Sequence, residues 1–224
     1  MYDFIKDPTL YNLVRGPFVW IAFIVFIGGS IYRVKSFVDL VRNDKTIMPF
    51  ISLKYTLRSL LHWLIPFASK SWRRYPVVTT ATFIFHIGLV ILPFFVLGHI
   101  VLIKESWGVS WWNVSEGFAD FMTVLVILCG VFFALRRLFA PKVTFVTFGD
   151  DYLMLAISVL PFLTGFLAYH QVVLPPKTMT ILHMLSGELM LIAIPFTRLA
   201  HMFYFFMTRS FMGSQFALWH TRDW

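Results

Sequence analysis

Charged residues are scarce in this chain of 224 residues, because Asp, Glu, Lys and Arg together make up only 13% of it. Soluble domains carry about twice that share. Apolar residues account for 58%, more than a water-soluble globule of this size could bury. Intrinsic disorder is excluded as well, because it requires low hydrophobicity and high charge. The composition is typical of an integral membrane protein.

Cysteine is almost absent, since Cys129 is the only one in the sequence. A single thiol excludes a disulfide framework, a cysteine-ligated iron–sulfur cluster and a four-cysteine zinc site. It also excludes a c-type haem, whose attachment requires Cys-x-x-Cys-His. Any metal or haem must therefore use other ligands, and the sequence contains seven histidines.

Five stretches are apolar and long enough to cross a bilayer, which takes about 20 residues. We predict spans at residues 14–37, 76–103, 118–135, 152–169 and 179–207. The first lies near the N-terminus but lacks a cleavage site of small residues, so we expect a retained helix and not a signal peptide. The predicted fold is all-α, a single domain over residues 1–224 formed by a bundle of five transmembrane helices.

Lys and Arg are distributed unequally between the two sides of this bundle. Residues 33–74, 136–142 and the tail from Arg198 hold 15 of them, and the opposite side holds 4. Positively charged loops stay in the cytoplasm. We therefore predict a periplasmic N-terminus and a cytoplasmic C-terminus, in the cytoplasmic (inner) membrane of a bacterium or archaeon. Because the positive charges lie in these loops, we attribute the net charge of +8 to orientation in the membrane and not to binding of a nucleic acid.

A shorter apolar segment, residues 53–67, lies in the cytoplasmic linker. Its leucines recur at helical spacing, with Lys54 and Arg58 between them. The pattern predicts an amphipathic helix at the cytoplasmic surface that is too short to span the membrane. Two interpretations remain open, namely a helix resting on anionic membrane lipid and a docking surface for a soluble partner.

Four histidines fall inside predicted spans, where ionisable residues are costly and usually functional. In the fifth span, His183 and His201 are 18 residues apart. On a continuous helix that is five turns, so the two would point the same way about 27 Å apart. His86 and His99 lie at matching depths in the antiparallel second span. We predict that His86 pairs with His201 and His99 with His183, each pair holding one b-type haem.

The position of His99 requires a distorted helix. It follows His86 by 13 residues, which is about 220° of rotation on an ideal helix. The helix must therefore kink or unwind near Pro93. His170, at the end of the fourth span, is the competing residue. It could be an interfacial histidine, a haem ligand in place of His99, or a hydrogen-bond partner of a quinone.

Two further polar residues are candidates for supporting roles. Glu188 is the one acid well inside a predicted span, five residues after His183. It would accept a proton during quinol oxidation or be a neutral packing residue. Arg198, one turn before His201, would pair with a haem propionate or mark the cytoplasmic side.

Several motifs resemble the cytochrome b subunit of respiratory nitrate reductase, the gamma-subunit family. Three of them are Arg136-Arg137-Leu138-Phe139-Ala140-Pro141, Phe85-His86-Ile87-Gly88 and Gly98-His99. The fourth combines His183 with the segment Pro195-Phe196-Thr197-Arg198-Leu199-Ala200-His201, whose last residue lies 18 positions after His183. Two others, Phe162-Leu163-Thr164-Gly165-Phe166 and Trp107-Gly108-Val109-Ser110-Trp111-Trp112, resemble related subunits of sulfate-reducer transmembrane redox complexes. The partners in those complexes resemble heterodisulfide-reductase iron–sulfur proteins.

The resemblance implies a five-helix membrane cytochrome with two haem b groups, in which His86 and His201 hold the inner haem and His99 and His183 the outer one. It implies an electron-transfer subunit, not a complete enzyme, working between menaquinone or ubiquinone and a cytoplasmic iron–sulfur subunit. One alternative is a quinone-independent conduit from a periplasmic multihaem cytochrome c to a cytoplasmic iron–sulfur protein. Another is a non-redox transporter or scaffold.

Overall fold

A computed structural model describes residues 9–43 and 51–223. Throughout those two ranges the regular elements are helices, and none is a strand. The all-α prediction is therefore confirmed. Lys6 and Lys45, which contribute to the predicted charge bias, lie outside the described residues.

The helices form a series of long segments joined by short ones. In chain order they are α1 (Leu10–Leu13), α2 (Val19–Asn43), α3 (Leu53–Leu64), α4 (Lys70–Arg74), α5 (Pro76–Phe95), α6 (Leu97–Trp107), α7 (Glu116–Phe139), α8 (Pro141–Thr144), α9 (Gly149–Tyr169), α10 (Pro176–Phe196) and α11 (His201–Leu218). A π-helical turn, Val14–Phe18, joins α1 to α2, and a 3-10 turn, Arg198–Ala200, precedes α11.

Five helical segments in the described ranges are long and apolar enough to cross a membrane. They are Leu10–Arg42, α5, α7, α9 and α10. The chain is thus a multi-pass membrane protein by the length and composition of its helices, as predicted. The direction in which each helix crosses stays a prediction.

The contacts between helices divide the chain into two compact units. Of the described residues, the first unit contains 16–43, 51–79 and 188–223, and in it α11 packs along α3 and touches α2. The second contains residues 9–15 and 80–187, and there α7 packs against α9. The single domain over residues 1–224 stays a prediction.

Charged and hydroxyl side chains determine where the long helices begin and end. The Ser115 hydroxyl accepts the Phe118 N–H at the start of α7, which then has Glu116 in its first turn and Arg136 and Arg137 in its last. This order of charges complements the helix dipole. At the start of α9, the Asp151 carboxylate accepts the Phe148 N–H at 2.9 Å.

The second predicted span is interrupted where the histidine argument requires a distortion. The sequence predicts one helix over residues 76–103, but the structure has α5 and α6 separated by Val96, whose φ of −75° and ψ of 132° are extended. Pro93 lies three residues earlier, inside α5. Proline lacks the N–H of a helical hydrogen bond and clashes with the preceding turn, so the helix is weakest at this point.

The fifth predicted span is interrupted as well. A continuous helix over residues 179–207 is wrong, because α10 ends at Phe196 and Thr197 is extended, with φ −123° and ψ −172°. The Thr197 hydroxyl accepts the Leu199 N–H and starts a new turn. Arg33 of α2 donates from Nε to the carbonyl of Pro195 at 2.7 Å. The five-turn argument relating His183 to His201 therefore does not hold, although their assignment as ligands stays a prediction.

The second unit is held by an apolar core between α5, α7 and α9. Its members are Phe85, Leu92, Met122, Val126, Cys129 and Phe162. Burial of these side chains fixes the three helices against one another, and the predicted ligand His86 lies on one of them, α5.

Candidate functional site

The central feature of the site is a pair of parallel histidine rings in the second unit. The imidazoles of His99 in α6 and His183 in α10 have ring planes 3° apart and ring centroids 5.8 Å apart. Two imidazoles on opposite sides of one metal ion, with metal–nitrogen bonds of about 2 Å, place their centroids about 6 Å apart. The two residues that the sequence analysis pairs therefore lie side by side, and their role as ligands of one haem stays a prediction.

Each ring is held by a hydrogen bond to the carbonyl of a proline. Nδ1 of His99 lies 2.9 Å from the carbonyl oxygen of Pro93, and Nδ1 of His183 lies 3.0 Å from that of Pro161. A carbonyl oxygen only accepts, so Nδ1 must carry the proton in both rings. In the neutral ring the lone pair is then on Nε2, the nitrogen that can bind a metal.

The break in the second span accounts for the position of His99. Because α5 ends at Phe95, the Pro93 carbonyl is among the last carbonyls of the helix, which have no partner within it. That oxygen accepts from His99 instead. The extended Val96 changes the rotation between α5 and α6, so the 220° expected of a continuous helix no longer applies.

A glycine beside His183 provides the space for its ring. A Cβ atom on Gly165 would lie 2.9 Å from Cε1 and 3.1 Å from Nδ1 of His183, both too close for ordinary contact. Only glycine lets α9 approach the imidazole this closely. Gly165 belongs to the motif that resembles sulfate-reducer subunits, although the sequence alone does not assign it this role.

Two buried hydroxyl groups extend the polar surroundings of His183. The Thr164 and Ser186 hydroxyl oxygens are 2.9 Å apart, and Thr164 Oγ1 lies 3.5 Å from His183 Nδ1. Ser186 also donates to the backbone carbonyl of His183 at 2.8 Å. Sequence reasoning missed both residues, because Ser and Thr are common in membrane helices as packing residues.

His86 and His201 have the same type of backbone anchor. His86 Nδ1 lies 2.8 Å from the Thr82 carbonyl oxygen within α5, and His201 Nδ1 lies 2.9 Å from the Arg198 carbonyl oxygen at the start of α11. Each of these rings therefore also has its Nδ1 proton directed to the backbone. The two residues belong to separate compact units, and their pairing stays a prediction.

His170 is in contact with an aspartate of α7. Its Nε2 lies 3.0 Å from Oδ2 of Asp120, and the hydroxyl of neighbouring Tyr169 donates to Glu116 at 2.9 Å. The C-terminal end of α9 is thus attached by two polar contacts to the first two turns of α7. Sequence reasoning missed Asp120 and Glu116 as partners. The four-residue spacing of these acids at the start of a span was the available signal.

Glu188 and Arg198 lie in different surroundings. Glu188 is 8% exposed, and its Oε1 has no hydrogen-bond partner among the residues that the structure describes. Arg198 is exposed and lies in the 3-10 turn that precedes α11. The predicted role of Glu188 as a proton acceptor and that of Arg198 as a propionate partner both stay predictions.

The two rings provide two nitrogen ligands close together, which suits a group that needs only two ligands from the protein. The described part of the chain has no group of three or more His, Cys, Asp or Glu residues that could hold a metal ion. Haem iron needs only two protein ligands, because the macrocycle occupies the other positions. His99 and His183 are thus the residues that could hold such a group.

The chain is similar in sequence to a bacterial protein over nearly its whole length. No family model matches the chain. A protein of Nitratidesulfovibrio vulgaris, strain Hildenborough, is 40% identical over 214 residues, which covers 93% of this chain and 94% of that protein. The chain belongs to the same family as this protein. The name printed for that relative, "Protein", states no activity, so the match shows shared ancestry over nearly the whole length and nothing of the function.

Proposed function

We propose that this chain is a dihaem cytochrome b subunit of a respiratory complex in a bacterial or archaeal cytoplasmic membrane. It transfers electrons between a membrane quinone or quinol, menaquinone or ubiquinone, and a cytoplasmic iron–sulfur subunit. The observation that carries the proposal is the parallel His99–His183 pair, 5.8 Å between ring centroids. The motifs that resemble the nitrate reductase gamma-subunit family support it.

The residues present fit a bis-histidine haem. Both Nδ1 atoms are engaged by proline carbonyls, which orients the rings and leaves the lone pair on Nε2. Bound haem supplies one-electron redox chemistry, with a potential set by its axial ligands and their hydrogen bonds. The chain itself holds the two rings parallel. The missing side chain of Gly165 leaves the space that the ring of His183 occupies.

We assign the second haem to His86 and His201. Their Nδ1 atoms have the same kind of carbonyl partner as those of His99 and His183, which supports a shared role for the four residues. The excess of Lys and Arg in residues 33–74, 136–142 and the tail supports a cytoplasmic C-terminus, and with it an inner position for this haem. Arg198 is the candidate partner of a propionate there.

Quinol oxidation also requires groups that accept protons. Glu188, with a buried carboxylate oxygen that has no partner among the described residues, and His170, held by Asp120, are the candidates. A histidine paired with a carboxylate can accept a proton at one nitrogen while the carboxylate stabilises the resulting charge. Both residues therefore have chemistry that suits the quinone side of the subunit.

The first test is the haem content of histidine variants. We expect two b haems per chain in the wild type by pyridine haemochrome assay. His99→Ala and His183→Ala should each lose the same haem, and His86→Ala and His201→Ala the other. His220→Ala, in the exposed tail, is the matched control and should keep both. A folded wild-type chain without haem would reject the proposal in favour of a transporter or scaffold.

A second measurement separates the quinone-linked subunit from the quinone-independent conduit. Reduction of the haems by a quinol analogue should be slowed about 100-fold or more in Glu188→Gln and His170→Gln, the lower end of what loss of a general base removes. The absorption spectrum of the haems should be unchanged in both variants. Equal rates in both variants and the wild type would favour the conduit.

A further inference from the structure

Helix α3 turns its hydroxyl-bearing face towards the protein and a row of leucines outward, the reverse of a surface helix on a water-soluble protein. Its polar residues Thr56 and Ser59 are 9% and 0% exposed. Its leucines are turned outward: Leu53, Leu57, Leu61 and Leu64 are 72%, 48%, 61% and 51% exposed. A solvated helix would bury the leucines and expose the hydroxyl groups. The leucine row, defined by these four residues, therefore requires an apolar environment.

The orientation of α3 is fixed by contacts with α11 and the C-terminal tail. Thr56 donates to the carbonyl of Ser210, and the Ser52 N–H donates to the Ser214 hydroxyl at 3.0 Å. The Ser59 hydroxyl donates to the buried carboxylate of Asp223. If the helix rotated about its axis to bury the leucine row, these hydrogen bonds would break. The groups on α11 and the tail that stay buried would then lose their partners on α3.

The surface beside the leucine row is purely basic. Residues 51–74 contain five Lys or Arg residues and no Asp or Glu. Lys54 follows Leu53 of the row by one position, about 100° around the helix, so it lies along one edge of the row. Arg58 is half-buried, with Nε and Nη2 buried and its guanidinium over the ring of Tyr55. Lys70, Arg73 and Arg74 follow in and around α4, and all three are exposed.

The nearest apolar environment is the bilayer itself. The membrane-crossing helix α5 begins at Pro76, two residues after Arg74, so the basic segment leads directly into the membrane. Helix α11, which holds α3, also touches the membrane-crossing α2. Amphipathic helices at a membrane surface bury their apolar face below the headgroups while basic side chains bind anionic lipid.

We propose that the leucine row of α3 is embedded in the interfacial layer of one leaflet and that the basic side chains beside it bind anionic phospholipid headgroups. The row then contacts acyl chains, and Lys54, Lys70, Arg73 and Arg74 lie at the depth of the phosphates. This decides between the two sequence interpretations of the helix in favour of lipid over a soluble docking partner. It does not depend on the proposed electron-transfer function.

The test places spin labels on the full chain in lipid nanodiscs. In a Cys129→Ala background, Leu57→Cys and Leu64→Cys report on the row, Leu128→Cys on the lipid-facing side of α7, and His220→Cys on water. Power saturation compares access by oxygen, which concentrates in lipid, with access by a water-soluble nickel chelate. We expect both row positions to resemble Leu128→Cys. A chelate accessibility equal to that of His220→Cys would overturn the proposal and indicate a surface open to a soluble partner.

Lipid composition tests the anionic part of the proposal. The Leu57→Cys label should lie deeper in discs of phosphatidylcholine with phosphatidylglycerol than in phosphatidylcholine alone. Adding Lys54→Gln, Lys70→Gln, Arg73→Gln and Arg74→Gln should abolish this difference. A label that lies equally deep in both compositions would reject the headgroup interaction.

Discussion

The ring of His183 packs against Gly165 so closely that a single methyl group would displace it. A Cβ at Gly165 would lie 2.9 Å from Cε1 of the imidazole. We expect Gly165→Ala to destabilise the fold by about 1–3 kcal/mol, as overpacking does in a well-packed interior. The same variant should lower the haem content from two per chain or alter the spectrum of one haem. Thermal unfolding and the haemochrome assay measure the two effects.

Gly187→Ala is the matched control for this change. Gly187 lies on α10, and nothing is within 4 Å of the position its Cβ would take. It should therefore unfold at the wild-type temperature and keep its haem spectrum. If Gly165→Ala behaved in the same way as this control, the close approach at His183 would have no structural consequence.

Individual residues differ in how well the sequence predicted them. The four histidines could be found because ionisable groups inside apolar segments are rare and costly. Thr164, Ser186 and Asp120 could not be distinguished in this way, since their roles depend on which side chains other helices bring next to them. Gly165 was visible within a motif, but only the position of His183 in the fold explains it.

The contact between α3 and α11 also depends on a glycine. A Cβ at Gly213 would lie 2.6 Å from Cβ of Ser59 and 2.7 Å from the carbonyl oxygen of Tyr55. We expect Gly213→Val to push the helices apart, so that trypsin cleaves after Lys54 several-fold faster in detergent micelles. The matched control is Gly28→Val, because nothing lies within 4 Å of a Cβ there. Cleavage at equal rates in the two variants would contradict the close packing.

The docking of α3 should weaken at acidic pH through His62. Burial lowers the pKa of His62, and the charges of Arg73 and Arg222 lower it further, while Asp223 partly opposes them. The folded chain therefore favours the neutral imidazole, whereas the unfolded chain protonates it below its ordinary pKa of about 6.5. The stability that neutral His62 contributes at higher pH is therefore lost as the pH falls below the ordinary pKa of histidine.

His62→Gln removes this proton linkage. The fall in thermal unfolding temperature between pH 8 and pH 5.5 should be smaller in His62→Gln than in the wild type. His220→Gln, which changes an exposed histidine of the tail, should retain the full fall. An identical pH dependence in all three proteins would exclude His62 as the source.

At the scale of elements, periodicity predicted the membrane helices, and the spacing of His86 and His99 required the distortion near Pro93, whereas a continuous helix was expected where the chain breaks at Thr197. Two predicted spans are broken, at Val96 and at Thr197, each two or three residues after a proline. A proline near the end of a membrane helix does not by itself decide whether the helix breaks. Either outcome is tolerated when neighbouring groups donate hydrogen bonds to the backbone carbonyls that have lost their helical partners. His99 donates to the Pro93 carbonyl, six residues earlier in the sequence, and Arg33 donates to the Pro195 carbonyl, 162 residues away.

For the molecule as a whole, the charge bias makes a direct prediction of topology. A green fluorescent protein fused to the C-terminus should fluoresce, since fluorescence requires a cytoplasmic position. Alkaline phosphatase fused after Trp112 should be active, since it folds only in the periplasm. Phosphatase fused after Ala140 is the control and should be inactive. The reverse pattern would mean that the 15 Lys and Arg of the predicted cytoplasmic side face outward.

The sequence by itself determined the class of the protein and its candidate ligands. Apolar length selects membrane helices, because no other structure satisfies a single segment's backbone in lipid. The single cysteine excludes a covalently attached c-type haem, and the ionisable residues inside the apolar segments make the histidines the candidate ligands. Both are properties that can be read one segment at a time.

Only the tertiary structure decided which groups meet. His99 reaches His183 because α6 starts anew after Val96, and α3 exposes its leucines because its hydroxyl side packs on α11. The first outcome depends on a break in a helix and the second on hydrogen bonds between distant segments, and an intrinsic helix pattern specifies neither the break nor the partners of those bonds. The physical reason is that periodicity gives a helix its faces, whereas packing decides what each face contacts.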